Sequence, residues 1–161
     1  MKELRSLLFY ALQFTWALPQ NLAGGIAYLI LSRKYRHERF HEAFVTYIRA
    51  ENFGGVSLGM FVFMNPDRPD DWKHDTQIHE FGHSVQSIVL GPLYWIVVAA
   101  PSFLWCNLSS CIRYREEKQV SYYWLFCEGW ANLWGTAWTG ERFESKEMLT
   151  AGRFGKAWKQ A

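Results

Sequence analysis

His79 and His83 stand four residues apart with Glu80 beside the first of them, inside the run His74-Asp75-Thr76-Gln77-Ile78-His79-Glu80-Phe81-Gly82-His83-Ser84-Val85-Gln86. On a helix that spacing puts both imidazoles on one face, where they can hold one zinc ion. Glu80 then lies close enough to polarise a water and carry its proton. Apolar Ile78, Phe81, Val85, Ile88 and Val89 recur at helical intervals through the run, which predicts a helix. Asp75 or Thr76 is expected to cap its start. Gly82 permits close approach of a neighbouring element, at some cost in helix propensity.

A second match to the same pattern, His37-Glu38-Arg39-Phe40-His41, follows Arg33-Lys34-Tyr35-Arg36. Cations on both sides disfavour a divalent metal, so this run reads as a solvated, basic turn.

Two histidines need a third protein ligand to make a catalytic zinc site. A third histidine at the usual extended spacing would fall on Val89, and the glycine that accompanies it on Gln86, so that option is excluded. An aspartate from an Asn-Pro-Asp-Gly motif, as in intramembrane site-2 proteases, normally follows the histidines. Here Asn65-Pro66-Asp67 precedes them without the glycine and reads as a turn. Glu128, in the later helical pattern Glu128-Gly129-Trp130-Ala131-Asn132, remains. Its neighbours Leu125, Phe126, Trp130 and Trp134 are apolar, and a carboxylate among them needs a partner. Tyr122 or Tyr123 could offer a phenol to a developing oxyanion. His74 is expected at the surface ahead of the helix.

With Glu128 in place, the pattern resembles the gluzincin metallopeptidases. Shorter pieces, Leu90-Gly91-Pro92-Leu93-Tyr94 and Pro101-Ser102, also resemble small uncharacterised bacterial proteins. The resemblance covers roughly residues 56–135. It implies Glu128 as third zinc ligand and Asn132 as the residue that hydrogen-bonds a ligand histidine, a position where the family commonly has Asp. Asn accepts the same bond but adds no charge. It also implies a minimal zincin-like core in which the stretch Val56–Met64 is an edge strand that pairs with extended substrate. The reaction expected is hydrolysis of a peptide or protein substrate, with one zinc ion as cofactor. A degenerate, non-catalytic zinc domain and a membrane-associated interaction protein are the alternatives.

The rest of the 161 residues must position these groups. The length suits one domain with a real core. We divide it into apolar helices and a basic turn (1–42), the core (43–138) and a polar tail (139–161), an α+β fold that is mostly helical. Glu3–Ala17 and a second stretch capped by Asn21 read as helices. Ala43–Arg49 and Val56–Met64 read as one hairpin around the turn Glu51–Gly55. Asn65–Asp71 is a loop. Leu93–Leu108 is helical around Pro101, Arg113–Lys118 is a charged connection, and Tyr122–Trp138 is the last strong helix.

Cys106, Cys111 and Cys127 form no paired motif and are expected as reduced, buried thiols. A net charge of +2, with basic residues clustered only at 33–39, argues against nucleic acid as a partner. Ser6–Ser32 and Ser84–Ile112 carry no formal charge, and each exceeds the roughly 20 residues that suffice to cross a bilayer. Both are broken by proline and glycine, and mean hydropathy is only -0.15. The expectation is membrane association with the zinc site facing the cytoplasm near the bilayer surface; a soluble cytoplasmic domain is the rival.

Overall fold

Proline and glycine set the limits of the helix that matters most. In the structure, a computed structural model that describes residues 2–145 and Met148, helix α3 runs Asp70–Leu90. Pro69 sits just before it with an extended backbone, and Asp70 and Asp71 place negative charge on its first turn, where the helix dipole is positive. It stops at Gly91, whose φ of 55° few other residues adopt. The start is therefore nearly two turns earlier than a cap at Asp75 or Thr76 would give. Asp75 is buried and instead accepts the backbone N–H groups of Glu144 and Ser145, both at 2.8 Å.

Helices α1 (Lys2–Gln13) and α2 (Leu18–Leu31) precede a four-stranded sheet of β1 (His37–Phe40), β2 (Ala43–Tyr47), β3 (Gly55–Leu58) and β4 (Phe61–Met64). After α3 come a π-helical turn at Trp95–Ala99, α4 (Ala100–Asn107), α5 (Ser109–Lys118) and α6 (Phe126–Thr139). The fold is α+β and mostly helical.

The sheet order is β1-β2-β4-β3, with β2 and β4 parallel and the outer pairs antiparallel. Two tight hairpins thus replace the single one expected. Gly59, at φ 64°, turns the chain inside Val56–Met64 and splits that stretch into β3 and β4. The basic run turns at 32–35 as expected but then continues into β1, and His41, at φ 49°, reverses the chain into β2. Asn21 does not cap α2: it lies inside the helix, buried, and its Oδ1 accepts the Met60 N–H at 3.2 Å. Arg113–Lys118 is helical, part of α5, and the Tyr122–Trp138 pattern is broken at Leu125, whose ψ of 139° leaves the helix. Of the polar tail, residues 146, 147 and 149–161 lie outside the described residues.

The core fills the space between the sheet and α3. Val45, Val62 and Met64 from the sheet meet Phe81 and Val85 from α3, and Phe9 of α1 stacks on Phe81 with ring centroids 5.7 Å apart. On its other side α3 packs directly on α6. A Cβ at Gly82 would collide with the carbonyl oxygen of Ala131, and one at Gly135 with that of Ile78. The two backbones touch at both points, so the glycines are required by space rather than by turn geometry.

Candidate metal centre

That backbone contact decides where Glu128 goes. Leu125 ends the preceding turn, α6 starts afresh at Phe126, and Glu128 falls in its first turn facing α3. Its Oε2 lies 3.1 Å from His79 Nε2 and 3.4 Å from His83 Nε2. All three side chains are buried, and their ligand atoms lie within 4.8 Å of one another. Four ligands around zinc at about 2.0–2.1 Å stand about 3.3 Å from each other, so the two Glu128 distances match the edges of such a tetrahedron.

The hydrogen bonds behind the imidazoles settle which nitrogens face inward. Gln86 Nε2 donates to the Cys127 carbonyl at 2.7 Å, which turns its Oε1 to His83 Nδ1 at 2.6 Å. Asn132 Oδ1 stands 2.6 Å from His79 Nδ1, its amide nitrogen turned to the Met148 sulfur. Both Nδ1 atoms therefore carry a proton and donate it, and both Nε2 lone pairs point at Glu128. Three acceptors so close repel unless a cation or proton lies between them. Among the described residues, Glu128 Oε2 is buried and accepts no hydrogen bond. The donor set, two imidazoles and a carboxylate, fits a metal ion.

Without a metal, these groups shift one another's pKa. Burial pulls the His83 pKa down, but the Glu128 carboxylate beside it prevails and pushes it up to about 9. Burial likewise raises Glu128, yet His83 and His79 hold its carboxyl well below the usual range. Glu80 differs: burial dominates and raises its pKa, against the lowering effect of the two histidines. Its Oε2 is buried with no hydrogen-bond partner among the described residues. Its Oε1 lies 2.6 Å from where a Cβ on Gly55 would stand, so a side chain there would displace the carboxylate.

The cluster opens on a cleft of about 790 Å³ between the β3 strand and the segment Tyr94–Asn107. His79, Glu80 and His83 line it, with Gly55 and Ser57 of β3, Trp72, Val98 and Phe103. Glu128 lies outside the lining, behind the histidines. Tyr122 and Tyr123 both reach the cleft wall. Tyr123 stands edge-on to His79, ring centroids 5.2 Å apart, while the Tyr122 hydroxyl is 3.3 Å from Ser102 Oγ. Burial and the Glu128 charge keep Tyr122 protonated.

Two contributors escaped the sequence reading. Gln86 stands where the extended histidine pattern has glycine, and its place one turn beyond His83 on the same helix puts its amide within reach of that ring. Tyr94 is buried in the cleft wall, with its hydroxyl 3.4 Å from the Ser57 carbonyl. Burial, then the Glu80 and Glu128 charges, raise its pKa well above the ordinary phenol value. Nothing short-range in the sequence brings Tyr94 to β3.

Other candidates lie elsewhere. His74 is within α3, half-buried, and contacts Glu141 Oε2 at 2.8 Å; the other Glu141 oxygen is 2.6 Å from His41 Nε2. His37 and His41 sit on β1 and its turn, and four residues of extended strand separate two positions by about 13 Å. They cannot share an ion. All three cysteines are free, but only Cys127 is fully buried. Cys106 is exposed and lines the cleft, against the expectation that all three are buried.

Compared with known proteins, the chain matches no protein-family model, no curated protein and no solved structure.

Proposed function

We propose that this protein is a zinc-dependent peptidase. The observation that carries the reading is the convergence of His79, His83 and Glu128 on one point, with the buried Glu80 carboxylate beside it on the cleft wall. Bound there, zinc supplies a Lewis acid that acidifies water and polarises a carbonyl. The residues supply the rest. His79, His83 and Glu128 hold the ion, and Asn132 and Gln86 fix the two rings in the ligating tautomer. Glu80, its pKa raised by burial, suits a general base that takes the proton of the attacking water and returns it to the leaving amine. Strand β3 is the end strand of the sheet and lines the cleft. Its outer edge pairs with no other strand among the described residues and can take an extended peptide; the rest of the stretch expected at the edge, β4, is an inner strand. Tyr122 and Tyr123 are the candidates to stabilise the oxyanion.

A second reading, a zinc domain without catalysis, draws on Asn132, whose neutral amide adds no charge behind His79. Glu80→Gln tests both. We expect it to keep stoichiometric zinc and lose cleavage of a peptide library. Undiminished cleavage would refute the role of Glu80. Zinc without cleavage by the natural chain favours the second reading, and a chain that takes up no zinc defeats both.

A further inference from the structure

Helices α1 and α2 expose large apolar side chains while burying several amides beside core residues such as Phe9. Their inward positions include Gln13, Gln20 and Asn21, all buried. Their outward positions are Leu4, Leu8, Leu22, Ile26 and Leu29, the last 70% exposed. The inward amide nitrogens of Gln13 and Gln20 are held by the protein itself, while Gln20 Oε1 has no partner among the described residues. Gln13 Nε2 donates to the Ser84 carbonyl at 3.1 Å, and Gln20 Nε2 to the Gly91 carbonyl at 3.0 Å. Among the described residues, nothing covers the outward positions.

The uncovered surface does not stop at α2. Trp16 lies against Gly91 so closely that a Cβ there would strike its indole. Beyond Gly91 the chain continues with exposed Leu93 and Ile96, the latter 72% exposed, and then with Phe103 and Leu104 of α4. Apart from Leu4, which stands between Glu3 and Arg5, both parts fall within the charge-free runs Ser6–Ser32 and Ser84–Ile112. Immediately past the end of α2 stand exposed Arg33, Lys34 and Arg36.

We propose that this face seats the protein in one leaflet of an anionic phospholipid bilayer. Hydrocarbon accommodates a large uncharged surface that water does not, and lipid phosphates complement the cations at its rim. Depth follows from length. Helix α1 has 12 residues and α2 has 14, about 18 and 21 Å at 1.5 Å per residue, against a hydrocarbon core of about 30 Å. Among the described residues no single helix is long and apolar enough to cross. The bent pair Asp70–Leu93 and Trp95–Asn107 passes by length and composition, but its first half holds the buried His79, Glu80 and His83. The helices therefore lie in the plane of the membrane. Trp95 and Phe103 belong to both the exposed face and the cleft lining, so this seating sets the cleft mouth at the water–lipid boundary. The inference stands whether or not the site is a peptidase.

Flotation of the full chain with phosphatidylcholine vesicles, with and without phosphatidylglycerol, tests it. The protein is expected to float with both and more completely with phosphatidylglycerol. Leu22→Glu with Ile26→Glu, at exposed positions, should cut partitioning at least tenfold, with unchanged circular dichroism confirming the fold. Arg33→Ala with Lys34→Ala should lower only the phosphatidylglycerol-dependent part, by about fivefold per charge. Tryptophan quenching by lipids brominated near the headgroup should exceed that by lipids brominated at the chain end, and Trp16→Phe should reduce it. A chain that stays lipid-free as a monodisperse monomer or a defined dimer overturns the proposal. So does flotation that the glutamate pair leaves untouched, and stronger quenching from the chain end overturns the in-plane depth.

Discussion

Replacing Gln86 by Leu removes the amide that joins the metal helix to its partner while keeping a similar volume. Two buried contacts go with it: the 2.6 Å contact to His83 Nδ1 and the 2.7 Å bond to the Cys127 carbonyl. The imidazole N–H is left without an acceptor, at roughly 1–3 kcal/mol, and a second bond worth about 1 kcal/mol disappears. Urea unfolding of the metal-free chain should therefore show a loss of about 2–4 kcal/mol. The effect on the metal is separate. With its tautomer and ring angle no longer fixed, His83 should bind zinc more weakly, and loss of such a supporting partner typically costs about 10–100-fold in affinity. Titration against a chromophoric chelator measures this. Ser87→Ala, one residue on, provides the contrast. Its hydroxyl is buried and bonds to Gln13 and the Ser84 carbonyl, so it should cost stability without touching zinc affinity. Gln86→Glu should keep the acceptor for His83 and hold affinity while losing the donor to Cys127. Zinc bound by Gln86→Leu as tightly as by the natural chain would refute the reasoning.

Gly135→Ala should force α3 and α6 apart at the Ile78 carbonyl. We expect about 2–3 kcal/mol of destabilisation by urea unfolding, together with weaker zinc binding; a variant unchanged in both would show that the helices need not touch. Glu141 joins His41 and His74, and although burial acts to raise its carboxyl pKa, the bonds from the two histidines lower it on balance. A lowered carboxylate stabilises the fold above its unfolded-state pKa, about 4.3, and that contribution fades as pH falls through the folded value. Glu141→Gln should therefore be less stable than the natural chain near neutral pH and converge with it in acid, as read by thermal melts across pH; a gap that widens in acid would contradict the assignment.

The parts legible in the sequence were those governed by local periodicity. His79 and His83 share a helix face because the chain between them is helical, and Glu128 and Asn132 share one because they stand one turn apart on α6. That the two faces meet is a long-range contact which local periodicity does not give. The sheet was misread where a single residue reversed the chain. Gly59 lies inside an unbroken β-like stretch, and His41 adopts positive φ without being glycine, so neither hairpin announced itself. The parallel pairing of β2 and β4 joins segments that composition alone does not connect. Asp75 and Asn21 were assigned to caps by residue type, but their partners, the backbone around residues 144–145 and Met60, come from distant chain. Long-range partners also explain why Tyr94 went unnoticed.

The contact of bare backbones at Gly82 and Gly135 distributes stiffness unevenly around the cleft. At those two points of α3 and α6 no side chain intervenes that could change rotamer, so the two helices are expected to move as one body and carry all three ligands with them. The opposite wall, from Tyr94 through Asn107, begins in a π-helical turn and meets the rest through side chains. Compliance is expected of that wall. Any widening of the cleft to admit a ligand then leaves the spacing of His79, His83 and Glu128 unaltered, and the wall that yields is the one that carries Phe103.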